Sequence, residues 1–242
     1  MAGIGGATAL KGAGIPELAA AVSNAGGLGM LGISGDDEET MRARIRQTRA
    51  LTDRPFGVNL NLNWPQEDSL KVCLSERVPV MSFYWGNPEH LVARAHSGGA
   101  IVLHVVSSAA EARAAVACKI DAIVAQGWEA GGHLAGTVAT FALVPAVVEA
   151  VGDVPVVAAG GIADGRGLAA ALALGAQGAW IGTRFLAARE AAIHPGYRER
   201  LLAASENDTV YSENLFHIGW PGAPHRVLRN GIGGCVGSGR TA

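Results

Sequence analysis

The segment from Asp121 to His133, DAIVAQGWEAGGH, collects residue types that can do acid–base chemistry within a few positions of one another. Its first part, Ala122–Ala125, is a run of small and β-branched residues that suits a strand covered on both faces. Gln126 follows that run, and a glycine-rich loop then ends in the imidazole of His133. An amide, a carboxylate and an imidazole at one strand end can bind a polar ligand and accept a proton from it. An ordinary loop with a solvated histidine is the alternative interpretation.

Strand and helix patterns alternate along almost the whole chain, and this alternation predicts a parallel sheet with connecting helices. Functional residue types follow several different strands, which favours a closed (β/α)₈ barrel, or TIM barrel, over a doubly wound open sheet. Such a barrel places its active site at the carboxyl ends of the strands. Seven strands are predicted: Leu28–Ile33, Phe56–Asn61, Val78–Tyr84, Ala100–Val105, Ala122–Ala125, Val154–Ala159 and Ala179–Ile181.

Composition and charge are typical of a single α/β enzyme domain. The chain has 242 residues, of which 49% are hydrophobic and 34 are glycine, and its formal net charge is −2. A barrel of this kind needs about 250 residues, so we expect one domain over 1–242, with 194–242 as a C-terminal extension packed on the barrel. The weak net charge gives no electrostatic attraction to nucleic acid or to an anionic membrane.

Neither the cysteines nor the histidines show a metal-binding pattern, so no metal is expected. Cys73, Cys118 and Cys235 are widely separated, which predicts no zinc site and no disulfide framework and fits a reducing cytoplasm best. The histidines other than His133 have no shared metal spacing, and we expect most of them at the surface or in loops.

Two glycine-bearing strand ends come late in the chain. Gly160 and Gly161 follow one strand, and the segment Trp180-Ile181-Gly182-Thr183 follows the next. In α/β barrels the loops after the last two strands often bind phosphate through backbone N–H groups. Glycines needed only for tight turns would explain either loop alone, but the pair favours a phosphate site.

These segments, together with PELAAAVSNAGGLG from Pro16 and FGVNL from Phe56, resemble the nitronate monooxygenase family of FMN-dependent TIM-barrel enzymes. The resemblance extends from about Ile15 to Phe185 and more loosely to Asn230, and the Gly-Gly-His ending at His133 is its most specific element. It implies that His133 is the catalytic histidine. It also implies an FMN site formed by Asn59, Gln126, Gly131, Gly160, Gly161, Trp180, Ile181, Gly182 and Thr183.

The N-terminus departs from the family pattern. Family members begin with an apolar strand that runs into a Pro-Met-Ala-Gly-like segment, whereas here Met1-Ala2-Gly3 falls where that strand would end. We therefore expect a first strand that is truncated or replaced. The resemblance also implies that this segment contacts the flavin ring if it keeps its place.

The reaction implied by the resemblance is oxidation of an alkyl nitronate by FMN and O₂ to a carbonyl compound and nitrite. A neutral nitroalkane must first lose its α-proton, and an imidazole with an ordinary pKa near 6.5 is suited to that task at neutral pH. Glu129 could orient the His133 ring or face solvent. Trp220 could close over the flavin or pack in the interior.

Two other functions stay open. A flavin-dependent enoyl-acyl-carrier-protein reductase or an NAD(P)H:quinone reductase could use the same scaffold, although no nicotinamide-binding motif is visible. A non-catalytic protein is the third interpretation, and the incomplete first strand is its only support. The partners we expect are a small-molecule substrate and O₂, with no nucleic acid and no membrane; a homodimer is left open.

Overall fold

The computed structural model describes residues 2–3, 14–214 and 222–229. Its strands are β1 (Ala2–Gly3), β2 (Gly29–Gly32), β3 (Phe56–Asn61), β4 (Val80–Tyr84), β5 (Ile101–Val106), β6 (Ala122–Gln126), β7 (Gly132–His133), β8 (Val156–Ala159), β9 (Gly178–Trp180), β10 (Thr209–Ser212) and β11 (His225–Leu228). Eight of them form one sheet in the order β1-β9-β8-β6-β5-β4-β3-β2, and every neighbouring pair is parallel.

The helices alternate with these strands. They are α1 (Pro16–Asn24), α2 (Glu38–Leu51), α3 (Glu67–Ser75), α4 (Glu89–Ser97), α5 (Ala109–Ala117), α6 (Thr140–Val151), α7 (Gly165–Ala173) and α8 (Pro195–Ala203), with a short 3₁₀ helix at Thr183–Ala187. The predicted α/β class with repeated strand–helix units is confirmed, and each of the seven predicted strands is present. The first strand is short, with two described residues that pair with β9.

Each long strand buries both of its faces, as a parallel barrel requires. On the outer face, Val58 and Phe83 are fully buried in the main core, between the sheet and the helices. On the inner face, Leu103, Val105 and Val124 form a second cluster inside the barrel. Because side chains alternate along a strand, polar residues in phase with this second cluster point into the barrel interior.

Side-chain caps fix where two of the helices begin. Asp37 accepts a hydrogen bond from the Thr40 amide at 2.8 Å and starts α2. Ser108 accepts from the Glu111 amide at 3.1 Å and starts α5. The Glu111 carboxylate accepts from the Ser107 amide at 2.8 Å, so the acid reaches back one residue further than in a standard capping box.

The C-terminal segment forms a second, smaller sheet. Strand β10 pairs antiparallel with β11, and β11 pairs antiparallel with β7. After β9 the chain forms the 3₁₀ helix Thr183–Ala187, and Phe185 and Ala188 pack against the cluster that contains Leu18 and Val22 of α1. Within residues 14–214 and 222–229, no helix is long and apolar enough to cross a membrane.

Candidate active site

Polar side chains line the barrel interior where the strands end. Asn59 and Asn61 come from β3, Ser82 and Tyr84 from β4, and Gln126 from the last position of β6. Asn59 lies beside Ser82 in the parallel register, and Asn61 lies beside Tyr84. The sheet therefore collects hydrogen-bonding groups from three strands at its carboxyl edge, where a barrel builds its site.

A hydrogen-bonded group joins Tyr84, Gln126 and His133. The Tyr84 hydroxyl donates to Gln126 Oε1 at 2.8 Å and lies 3.1 Å from the carbonyl oxygen of His133. Gln126 Nε2 donates to the same carbonyl at 3.2 Å. Burial raises the pKa of Tyr84 above its ordinary value, so the phenol stays protonated and remains a donor. Two inward-facing side chains thus hold the His133 backbone at the strand ends.

The His133 side chain is buried, with 8% of the residue exposed. Burial, and to a smaller extent repulsion from His225, lower the pKa of His133 from 6.5 to about 3. The expectation of an ordinary pKa is therefore wrong for this structure, because the ring is removed from water. His133 is neutral at neutral pH and offers a ring nitrogen as a proton acceptor.

Aromatic rings enclose His133 on two sides. The Trp85 ring meets it edge-on with centroids 5.6 Å apart, and Trp85 itself stacks on Tyr84 at 4.3 Å. Trp85 has a positive φ of 60°, which is unusual for a bulky residue and is typical of functional sites. The His225 ring also meets His133 edge to face, with centroids 4.0 Å apart.

Sequence reasoning missed two buried histidines, His104 and His225. His104 lies within the predicted strand Ala100–Val105, and burial lowers its pKa to about 4. Because strands of a parallel barrel are buried on both faces, that position alone was a signal of burial. His225 comes from β11, and burial lowers its pKa to about 4 as well. No periodic pattern in the sequence marked it.

Glu129 neither orients His133 nor simply faces solvent. Its carboxylate accepts hydrogen bonds from the Thr140 amide at 2.8 Å and from the Thr140 hydroxyl at 2.9 Å. The Thr140 amide is at the start of α6, so Glu129 caps that helix from a preceding loop. The carboxylate is thereby directed to the helix rather than to the imidazole.

The glycine loops pack against one another around this capping contact. Gly160 and Gly161 have φ values of 106° and 70°, which L side chains rarely adopt. A Cβ on Gly160 would lie 2.8 Å from Thr140 Oγ1, and a Cβ on Gly131 would lie 2.3 Å from Thr183 Oγ1. The loops after β6, β8 and β9 therefore pack closely at Gly131 and Gly160, where the hydroxyls of Thr183 and Thr140 leave no room for a further side chain.

The first amides of helix α7 are capped by a side chain. Asp164 accepts hydrogen bonds from the Arg166 amide at 2.9 Å and the Gly167 amide at 3.2 Å. The pKa of the Asp164 carboxyl falls to about 2, because Arg166 and these amides favour its ionised form. The amides of Arg166 and Gly167 are therefore already paired.

The remaining predicted site residues lie at the same edge of the barrel. Trp180 ends β9, and Ile181 and Gly182 connect it to the 3₁₀ helix that Thr183 begins. Asn59 lies further round the sheet on β3, so a ligand would have to span the interior to touch both groups. The backbone of Gly3 is beside Trp180 in the register, whereas Met1, Trp220 and His217 lie outside the described residues.

Whether a flavin fits the barrel interior can be judged from the buried polar atoms there. Asn59 Oδ1 and Ser82 Oγ are buried and have no hydrogen-bond partner among the residues the structure describes. Such atoms cost free energy unless a ligand or water pairs with them. A flavin has a polar ring edge and a phosphate, which match these atoms and the glycine loops. Within the described ranges, no group of His, Cys, Asp or Glu could hold a metal ion.

Comparisons with known proteins agree on the family to which this chain is similar. The sequence model of the nitronate monooxygenase family matches residues 4–70 and 65–241. A nitronate monooxygenase from Paraburkholderia phytofirmans is 37% identical over 84% of this chain and 68% of its own length. A hydroxy-methyl-oxo-octahydroindene-carboxyl-CoA dehydrogenase from Rhodococcus jostii is 39% identical over 90% of this chain. The solved structure of FabK from Thermotoga maritima has a TM-score of 0.89 and 44% identity, covering 97% of this chain and 73% of that one.

The chain spans about 60% of the length of the CoA dehydrogenase relative, so the match concerns a large part of that protein and not its whole. The TIM-barrel fold and the match of the family model along nearly the entire chain are nevertheless in agreement. The chain therefore belongs to the nitronate monooxygenase family, a family of oxidoreductase enzymes.

Proposed function

We propose that this chain is one FMN-binding domain that oxidises alkyl nitronates with O₂ to a carbonyl compound and nitrite. The observation that carries the proposal is the position of His133: a buried, neutral imidazole held at the strand ends, at the same edge of the barrel as the closely packed glycine loops. Membership of the nitronate monooxygenase family supports the same chemistry. When bound, FMN would supply the electron acceptor that the protein itself lacks.

Two groups of residues would hold the cofactor. The backbone N–H groups of Gly160, Gly161, Gly182 and Thr183 would bind the phosphate, because loops after the last strands of an α/β barrel often do so and the positive φ angles of Gly160 and Gly161 turn the backbone sharply there. Asn59 and Gln126 would face the polar edge of the flavin ring from the barrel interior. The other members of the proposed set are Gly131, Trp180 and Ile181.

His133 would act on the α-proton of the substrate. Its ring is neutral and so can accept a proton, but a pKa lowered to about 3 makes it a weak base in the free protein. An anionic substrate raises the pKa of a nearby imidazole by attracting the charged form. Because His133 is a weak base, we expect the nitronate, which is already deprotonated, to be the preferred substrate. The neutral nitroalkane should be turned over more slowly.

The direct test uses purified protein loaded with FMN. We expect nitrite release and O₂ consumption when a primary alkyl nitronate is added, and release of FMN, identified by chromatography, when the protein is denatured. A protein that binds FMN fully but releases no nitrite from any alkyl nitronate would contradict the proposed reaction while leaving the cofactor assignment intact.

A reductase is the second function that a specific observation favours. The FabK structure is 44% identical to this chain, and the CoA dehydrogenase relative is 39% identical. An enoyl-acyl-carrier-protein reductase or an NAD(P)H:quinone reductase would take electrons from a nicotinamide. Anaerobic mixing with NADH distinguishes the two functions, because rapid bleaching of the flavin would support a reductase and persistence of its colour would support the monooxygenase.

A further inference from the structure

The C-terminal strand β11 lies directly against the residue proposed as the base. In the antiparallel register, His225 is opposite His133, and Arg226 is opposite Gly132. The Leu134 amide also donates to the Pro224 carbonyl at 3.1 Å. The rings of the two histidines meet edge to face, with centroids 4.0 Å apart and an interplanar angle of 88°. One strand therefore fixes the backbone of His133 and contacts its ring.

The same C-terminal hairpin, formed by β10 and β11, also holds the other end of the glycine-rich loop. The Arg226 guanidinium donates to the Trp128 carbonyl at 3.0 Å and 3.2 Å and lies 5.1 Å from the centre of the Trp128 ring. The Tyr211 ring packs on Trp128 with centroids 4.2 Å apart. The loop from Trp128 to His133 is thus attached to the hairpin at both ends, although its own glycines allow many backbone conformations.

We propose that His225 is a positioning residue for His133, through which the C-terminal hairpin fixes the orientation of the base and keeps water from its ring. This inference rests on the proposed role of His133. The residues of the predicted site all precede the C-terminal hairpin, so the hairpin brings a contact to the His133 ring from a distant part of the chain.

The physical basis of this proposal is the burial of the His133 ring by its neighbours. His225 is 3% exposed, and its ring covers one side of His133 while Trp85 covers another. Tyr84 from β4 contacts the His133 carbonyl and His225 from β11 contacts its ring, and burial keeps both side chains neutral at pH 7. Removing the His225 ring would admit water, and water stabilises the protonated form of His133.

The test compares two substitutions at position 225. His225→Val removes the ring but keeps a residue that favours a strand, and His225→Phe keeps a flat ring that cannot titrate. The exposed His90→Val serves as control. The ring protons of His133 are followed by NMR against pH, with His133→Asn used to assign the resonance. This measurement needs no substrate.

We expect the His133 resonance of the wild type, of His225→Phe and of His90→Val to show no titration between pH 5 and 8. In His225→Val it should titrate with a pKa moved towards 6.5. In the flavin-loaded enzyme, kcat for the neutral nitroalkane, which needs the base, should fall about 10- to 100-fold in His225→Val, because a small misplacement of a catalytic group has an effect of that size. His225→Phe should restore most of the rate.

The outcomes separate this inference from the proposed function. A shifted His133 titration in a protein that never releases nitrite would support the positioning role and contradict the reaction. An unchanged titration together with an unchanged kcat in His225→Val would overturn the positioning role. If His225→Val does not fold, His225→Leu, which is larger but has no flat ring, must show the same fall in kcat, and an unchanged kcat there would overturn the inference.

Discussion

The Tyr84 hydroxyl donates a 2.8 Å hydrogen bond to the side-chain oxygen of Gln126. The two residues come from β4 and β6, which are separated in the sheet by β5, so the bond crosses the barrel interior. Both side chains also lie within hydrogen-bond distance of the His133 carbonyl. The position of His133 is therefore set from inside the barrel before a ligand binds.

Tyr84→Phe removes this cross-barrel bond while keeping the ring that stacks on Trp85. A buried hydrogen bond contributes about 1 kcal/mol net, so we expect the melting temperature to fall by about 2–4 °C and kcat to fall more than flavin content does. Tyr211→Phe, which removes a hydroxyl outside this group, is the matched control in a thermal melt and a rate assay. Equal effects of the two substitutions would contradict the account of Tyr84.

Gly182→Asp places negative charge where the glycine loops are proposed to bind the FMN phosphate. We expect purified Gly182→Asp protein to contain little FMN, because the carboxylate repels the phosphate and fills space beside it. Gly182→Asn has nearly the same size without the charge and should retain more flavin. The measurement is the absorbance ratio of flavin to protein, and a full complement of FMN in Gly182→Asp would rule out this phosphate site.

Glu129→Ala should lower stability without changing the protonation of His133. The carboxylate accepts two hydrogen bonds from Thr140 at the start of α6, and loss of a helix cap costs about 1 kcal/mol. Glu149→Ala, at an exposed position of the same helix, should be nearly neutral. Chemical denaturation measures the difference, and the pH dependence of kcat/KM should be the same as in the wild type. If the acidic side of the pH profile of kcat/KM is displaced in Glu129→Ala, Glu129 instead acts on the His133 imidazole.

Acid should destabilise the protein well above the pH at which its carboxylates titrate. Burial holds the pKa of His133 at about 3 and those of His104 and His225 at about 4, below the unfolded value of 6.5. The unfolded chain therefore binds more protons between these values, and stability that is complete above pH 6.5 is lost as the pH falls. Each histidine should account for roughly 1.5 kcal/mol between pH 6.5 and pH 5.

Urea unfolding at pH 7 and at pH 5 measures this loss. Of the three histidines, His104 lies outside the barrel interior. His104→Leu should reduce the pH dependence of the free energy of unfolding by about one third. If the free energy of unfolding is the same at both pH values, the three rings are not buried in the neutral form.

The strands were predictable because each is a short apolar run of a kind that only a sheet covered on both faces accommodates. Phe56–Asn61 matches the observed strand residue for residue, and the glycine loops were visible as breaks after two such runs. His133 and Gln126 followed from their place at a strand end. Each of these features is determined by residues that are close together in the sequence, and for that reason it could be predicted.

The contact between His225 and His133 could not be predicted in this way. Strand β7 has two residues and β11 has four, and so short a pairing leaves no periodic pattern in either segment. The low pKa of His133 depends on that pairing, because much of its burial comes from residues distant in the chain. The capping role of Glu129 could not be predicted for the same reason. Its partner Thr140 begins α6, and the sequence did not indicate at which residue that helix begins.

The most direct test of the account is the rate of nitrite release by His133→Asn enzyme that retains FMN, measured with the neutral and the deprotonated forms of one nitroalkane. Removal of a general base typically lowers a rate about 10²- to 10⁴-fold. If His133 takes the α-proton, turnover of the neutral nitroalkane should fall by that amount, and turnover of the nitronate should change little. Equal losses on both forms, or no loss on either, would contradict the role of His133 as the base.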